Sequence, residues 1–387
     1  MERLRLFGFC ILISANALAA EPRARDLGVP FEGTPGPLNA ITDVSGVTVG
    51  QVTLVEDLDS GRAVRTGVTA ILPRGAATAG TPVFGGWFAL NGNGEMTGTT
   101  WLEESGQLEG PVMITNTHSV GVVRDAVVAW RVRAGGADAS GYWWSLPVVA
   151  ETWDGYLNDI NGFHVRAEHA IRAIETARGG VVAEGNAGGG TGMICHEFKC
   201  GIGTASRRVA IRGRDYVLGV LVQSNYGRRD SLRIAGVPVG RHLRQHRVYS
   251  DGGPGGETGS IIIVVATDAP LLPHQLKRLA RRAPLGVARM GGTAGNGSGD
   301  IFVAFSTANA AALAGATLAQ AEFVGNDALD PLFDATVQAS EEAITNALVA
   351  AHDMRGQDGR HAEALPHADL IRLLKRYGRY EPPREKP

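Results

Sequence analysis

The stretch Gly259-Ser260-Ile261-Ile262-Ile263-Val264-Val265-Ala266-Thr267-Asp268 limits the fold more than any other. Residues 261–266 are all apolar and five of the six are β-branched, with no polar residue in alternation. A strand of that kind is dry on both faces, so it needs a covering layer on each side. It is entered through Gly255-Gly256-Glu257-Thr258, a turn-rich approach. Serine in such a turn is ordinary, yet a core strand needs no serine at its mouth. The sharper reading makes Ser260 a nucleophile and Gly259–Ser260 a bond that the protein cuts itself.

The pattern recurs along the chain. Runs at 47–54, 67–73, 112–115, 147–151, 208–213, 216–223, 260–267 and 301–307 read as strands, with Arg212-Gly213-Arg214-Asp215 a hairpin turn between two of them. Helical periodicity appears at 120–132, 165–177, 274–282, 330–352 and 368–377, and Pro284 interrupts or ends the third. Strand pairs mixed with long helices predict an α+β fold with helices outside stacked sheets. The 387 residues suffice for one large domain or two smaller ones. The 53 glycines concentrate in loops such as 185–192 and 291–299, which implies many tight turns. The tail from Tyr380 to Pro387 reads as disordered.

A formal net charge of −2 supplies no field to recruit nucleic acid or an anionic membrane. The N-terminus has a basic start, Met1-Glu2-Arg3-Leu4-Arg5, then a short apolar run and Ala17-Leu18-Ala19-Ala20. This is the pattern of a secretory signal over residues 1–20, too short for the roughly 20 apolar residues of a membrane span. We therefore expect export to the periplasm or beyond, and one domain over residues 21–387. Past the signal two cysteines remain, Cys195 and Cys200; an oxidising compartment permits free or bridged thiols alike. Their spacing is poor for zinc, and His196-Glu197 lacks the second histidine of a metalloprotease helix, so no metal is expected.

Four polar stretches are candidates for chemistry. Gly297-Ser298-Gly299-Asp300 feeds the run that starts at Ile301, as Gly259-Ser260 feeds its own. If those strands are neighbours, Ser260, Ser298 and Asp300 gather at one sheet edge as nucleophile, hydroxyl relay and carboxylate, a triad without histidine. Asn225 ends the run 220–223 and is a candidate oxyanion donor, or a turn residue. Glu151 ends the run 147–150, where it is suited to an ammonium group or an arginine. The glycines of 185–192 mimic a dinucleotide fingerprint, but no amphipathic helix follows; 291–299 lacks the lysine of a phosphate-binding loop. No cofactor is expected.

Taken together, several motifs resemble the DmpA-type aminopeptidases, the L-aminopeptidase/D-alanine esterase-amidases with their β-peptidyl aminopeptidase relatives. The motifs are Gly33-Thr34-Pro35-Gly36-Pro37-Leu38-Asn39-Ala40-Ile41-Thr42-Asp43-Val44, Thr115-Asn116-Thr117-His118-Ser119, Gly190-Thr191-Gly192-Met193-Ile194-Cys195, Pro270-Leu271-Leu272-Pro273-His274 and Gly297-Ser298-Gly299-Asp300. The resemblance spans nearly all of the chain after the signal. It implies a four-layer αββα sandwich of the DmpA/ornithine acetyltransferase type, similar to N-terminal-nucleophile hydrolases in layers but not in connectivity, and a homo-oligomer. It implies self-cleavage at Gly259–Ser260 into fragments 21–259 and 260–387, with Ser260 the nucleophile. Ser298 and Asp300 would assist proton transfer, Asn225 would hold the oxyanion, and Glu151 would receive the amino group of a small peptide, amide or ester. Some relatives carry glutamate where Asp300 stands, tyrosine where Trp153 stands and glycine where Cys200 stands. An indole only donates, so Tyr156 is the nearby candidate for a phenol's role. A bridge between Cys195 and Cys200 would then be peculiar to this chain.

The chemistry suits those residues. Glycine tolerates the backbone that lets Ser260 Oγ attack the preceding carbonyl. Hydrolysis of the resulting ester frees an α-amine whose ordinary pKa, about 7.7–8.0, fits a general base. The rivals are a related acyltransferase, which Ser260 in place of threonine disfavours, and an uncut binding protein.

Overall fold

The computed structural model describes residues 22–78, 80–135, 144–249, 258–313 and 317–383. The expected signal, residues 1–20, lies outside them. An antiparallel hairpin, β1 (Thr48–Asp57) and β2 (Ala63–Leu72), comes first. It is followed by β3 (Val83–Ala89), α1 (Thr99–Ser105), β4 (Gln107–Leu108), β5 (Val112–Asn116), α2 (Val120–Ala134), β6 (Val148–Thr152) and α3 (Ala167–Glu175). A small hairpin, β7 (Ile194–Cys195) and β8 (Phe198–Lys199), precedes the long pair β9 (Ile202–Ile211) and β10 (Arg214–Asn225). Then come α4 (Val239–His242), β11 (Thr258–Thr267), α5 (Pro273–Ala280), α6 (Ala283–Arg289), β12 (Gly297–Ser306) and α7 (Asp330–Val349). A last hairpin, β13 (Met354–Arg355) and β14 (His361–Ala362), leads to α8 (His367–Arg376).

Two main sheets result, ordered β1-β2-β5-β6 and β4-β3-β12-β11-β10-β9. The parity of the buried residues stacks the layers. Ile262, Val264 and Ala266 of β11 meet Ile71, Ile114 and Ala150 of the first sheet in a core between the sheets. Ile261, Ile263 and Val265 face the other way, onto a core with Leu276 of α5, Val287 of α6 and Ala339 and Ala343 of α7. The outer face of the first sheet, with Val68, Ala70 and Met113, is covered by Val123 and Val127 of α2 and Ala173 and Ile174 of α3. The order is helix, sheet, sheet, helix: the expected αββα sandwich. Six apolar residues run without alternation because each face of β11 has its own core.

Most predicted elements lie within a few residues of their expected bounds. Pro284 sits in the first turn of α6, where its missing N–H leaves no hydrogen bond broken. β3 and the first half of β9 were not expected. Val83-Phe84-Gly85-Gly86-Trp87-Phe88-Ala89 carries two glycines mid-strand because both of its faces are closely covered: a Cβ at Gly86 would fall 2.5 Å from Lys277 N of α5, and one at Gly85 2.9 Å from Leu102 Cδ1 of α1. The tail is a correction. Tyr380 packs against the helix-side core and Glu381 N–H donates to Gly28 O at 2.9 Å, so the first residues of the expected disordered tail are docked. Residues 384–387 lie outside the described residues.

Candidate active site

The strand register builds the site. β10 and β11 are antiparallel with Asn225 opposite Ser260, and β11 and β12 are parallel with Ser260 beside Gly299. The side chains of Asn225 and Ser260 thus project from the face turned to the first sheet. There they line a cavity of about 820 Å3 whose wall also includes Gly94, Glu95, Thr117 and Glu151. Gln223, two residues before Asn225, ties the sheets together nearby by donating to Thr115 O and Thr152 Oγ1, each at 2.9 Å.

Ser260 is 5 % exposed, and its Oγ accepts from Gly299 N–H at 3.2 Å. Gly259, directly before it, has φ +141°, and a Cβ there would fall 2.1 Å from Asn225 O. Asn225 is held at both ends of its amide. Oδ1 accepts from Ile194 N–H and Nδ2 donates to Trp153 O, each at 2.8 Å. Those partners fix the flip, because one is only a donor and the other only an acceptor. Nδ2 has a second hydrogen beside the one given to Trp153.

Glu151 is the penultimate residue of β6, and its Oε1 accepts from Glu95 N–H at 3.0 Å and its Oε2 from Thr117 Oγ1. Burial raises its pKa; the Thr117 and Glu95 hydrogen bonds oppose that. An anionic oxygen pair at a cavity wall, with lone pairs to spare, suits a primary ammonium.

Ser298 and Asp300 lie at the same end of the sheet, as expected, but not on the same face. They flank Gly299, so strand alternation turns them away from the Ser260 hydroxyl. Ser298 Oγ donates to Asp300 Oδ1 at 2.6 Å, both residues fully buried. Asn91 fastens the pair: its Oδ1 accepts from Asp300 N–H at 2.6 Å and its Nδ2 donates to Asp300 Oδ2 at 3.3 Å. Trp153 lines the cavity and is 43 % exposed. Tyr156 does not line it; its ring packs edge-on against Tyr249, which does, with centroids 5.7 Å apart.

The chain matches peptidase family S58 over residues 39–362. The chain belongs to peptidase family S58. Its similarity to the beta-peptidyl aminopeptidase BapA of Sphingosinicella microcystinivorans is 56 % identity, covering 95 % of this chain and 96 % of that one. Among solved structures, it is similar to the L-aminopeptidase D-Ala-esterase/amidase of Ochrobactrum anthropi, described as a prototype of the serine aminopeptidases and a variant of the Ntn hydrolase fold. That match has a TM-score of 0.87 at 48 % identity, covering 93 % of this chain and all (100 %) of the other. A Burkholderia sp. beta-aminopeptidase matches with a TM-score of 0.84 at 50 % identity, covering 92 % and 99 %.

Several groups in this S58 site escaped the sequence reading. Asn91-Gly92-Asn93-Gly94 is a Gly/Asn turn after a strand that was not expected, so its role as cavity wall was hidden with it. Thr117 lies inside a motif noted only for resemblance. The hairpin β7–β8 contributes Ile194 and Glu197 to the wall. Its turn residues His196 and Glu197 have φ +49° and +62°, and Cys195 and Cys200 are bridged across its base. The Glu197 carboxylate accepts from Arg229 N–H at 3.1 Å and from Arg247 at 2.9 Å. In the glycine turn at 188–190, Gly188 N–H donates to Thr53 Oγ1 at 2.8 Å and Gly189 N–H to Thr69 Oγ1 at 3.1 Å, so neither is left to bind a phosphate. Among the described residues no cluster of three His, Cys, Asp or Glu is placed to hold a metal.

Proposed function

We propose that this chain is an exported, self-processing serine aminopeptidase acting on small peptides, amino-acid amides or esters. The observation that carries the reading is the register that sets Ser260 beside Asn225 at a cavity whose wall also holds Glu151. The printed names of the S58 relatives, which speak of aminopeptidases and of an esterase/amidase, support the same class. Ser260 Oγ adds to the Gly259 carbonyl, the peptide bond shifts to an ester, and water hydrolyses it. The new α-amine of Ser260 then takes the proton from its own hydroxyl during attack on substrate. The Ser298–Asp300 pair, on the opposite face of β12, is available to that amine and not to the hydroxyl. Asn225 Nδ2 stabilises the oxyanion, and Glu151 holds the substrate's ammonium group. Residues 1–20 direct export, and processed protomers assemble as homo-oligomers.

The test is Ser260→Ala. Intact mass should show one uncut chain, and an amino-acid p-nitroanilide should not be turned over. Complete cleavage in that variant would remove Ser260 from the processing step and end the proposal.

A further inference from the structure

The Asn225 amide is oriented by two backbone groups, and one of them, Ile194 N–H, belongs to the hairpin β7–β8. That hairpin has only two residues per strand and a His196-Glu197 turn in the left-handed region, where neither residue is at ease. Such a short element does not hold its own position. Cys195 follows Ile194, which fixes the Asn225 side chain. Cys200 precedes Gly201, whose carbonyl accepts from Ser224 N–H at 2.9 Å. The bridge therefore joins the two segments that grip consecutive residues at the end of β10. Further contacts dock the same hairpin there: His196 N–H donates to Tyr226 O at 2.7 Å, and Arg229 Nε donates to His196 O at 2.9 Å. A loop of five residues gains less chain entropy from closure than a long one, and the placement of the bridge at the end of β10 points to a local role beside any stabilisation of the fold.

We propose that the Cys195–Cys200 disulfide is a positioning device for Asn225, holding Ile194 N–H where it fixes the amide with Nδ2 toward the reacting carbonyl. The inference rests on the reading of Asn225 as oxyanion donor. It makes turnover, rather than substrate binding, depend on the oxidised state of this pair. Loss of the bridge frees β7 to shift, and an amide no longer fixed at Oδ1 spends part of its time turned from the oxyanion. Removing an oxyanion donor outright costs about 10²–10³-fold in kcat. A donor that is only loosened should cost less, about 10-fold.

The experiment is a cycle of four enzymes: wild type, Cys195→Ala/Cys200→Ala, Asn225→Ala, and the triple variant. Each is assayed on an amino-acid p-nitroanilide, with kcat normalised to the processed fraction from intact mass. Loss of the bridge should lower kcat about 10-fold in the wild-type background, leave KM within about twofold, and change kcat by less than about twofold once Asn225 is alanine. Equal losses in both backgrounds, or a lower Tm with kcat unchanged, overturn the proposal and leave the oxyanion reading standing. Full activity in Asn225→Ala overturns the oxyanion reading and this inference with it. A second arm avoids substitution. Processed wild-type enzyme is treated with a dithiol, which is oxidised as the disulfide takes up two electrons and two protons, and the thiols are counted by alkylation and mass. The two-thiol form should show the same loss of kcat, restored on reoxidation; unchanged kcat in that form overturns the proposal.

Discussion

Glu151 is 3 % exposed and accepts hydrogen bonds from Thr117 and Glu95, so two donors partly replace the water that its carboxylate has lost. A substrate ammonium supplies a charge-assisted hydrogen bond worth roughly 1.5–3 kcal/mol. Glu151→Gln should therefore lower kcat/KM by about 10- to 100-fold, since each 1.4 kcal/mol is tenfold. The loss should be confined to substrates with a free amine, and N-acetylated ones should be poor for both enzymes. The pH dependence has a definite sign. Burial raises the Glu151 pKa, and the ammonium needs the anion, so kcat/KM should fall on acidification at a pH above the ordinary glutamate range. That limb should be missing from the pH profile of Glu151→Gln. Equal turnover of free and acetylated p-nitroanilides by wild type would show that Glu151 does not read the amine.

At the scale of the element, β11 does two jobs with one stretch of backbone. Downstream of Ser260 its residues alternate between two dry cores; upstream, Gly259 brings the strand against the β10 carbonyl of Asn225. No Cβ fits at 2.1 Å from that oxygen, and a φ of +141° disfavours any L side chain. In Gly259→Ala the mouth of β11 must move off β10, which separates Ser260 from Asn225 while leaving the core run after it seated. Self-cleavage should slow by at least about tenfold, the equivalent of 1.4 kcal/mol in the barrier. Intact mass followed over time checks this, and processing at the wild-type rate would show that the close approach contributes nothing. The same strand logic separates the two serines: Ser298 flanks the residue that pairs with Ser260 and so turns to the other face.

At the scale of the whole molecule, the proposed cut falls inside a sheet. Of the strands flanking β11, β10 precedes the junction and β12 follows it, while α7 covers β9 and β10 from the far side of the cut. The two fragments would share the core between the sheets and the helix-side core. Exposing either is unfavourable by roughly 25 cal/mol per Å2 of apolar surface, so the fragments should not part in water. Processed enzyme should give two bands on a denaturing gel and one species, containing both fragments, in native mass spectrometry. Separation of the fragments by size exclusion without denaturant would contradict this account of the cores.

The sequence by itself determined the strand at 260–267, the helical stripes of α2, α3, α5, α7 and α8, and the polar residues that end apolar runs. Uninterrupted apolar runs and 3.6-residue periodicity report burial directly, and burial on both faces already demands layers. Motif resemblance added the roles expected of Ser260, Asn225, Glu151, Ser298 and Asp300. Other features depend on distant partners and were decided only by the tertiary structure. β3 was hidden because its glycines answer to partners outside the strand: Gly86 to α5, about 190 residues further along the chain, and Gly85 to Leu102 of α1 and Leu108 of β4. Thr117 and the turn at 91–94 have no local signal of function; they matter because the first sheet and β12 bring them to Glu151 and Asp300. Trp153 reaches the cavity and Tyr156 does not, a difference of direction that spacing alone cannot give. The face on which Ser298 and Asp300 sit followed from one residue of register, because side chains alternate with a period of two and pairing is set by contacts outside the strand.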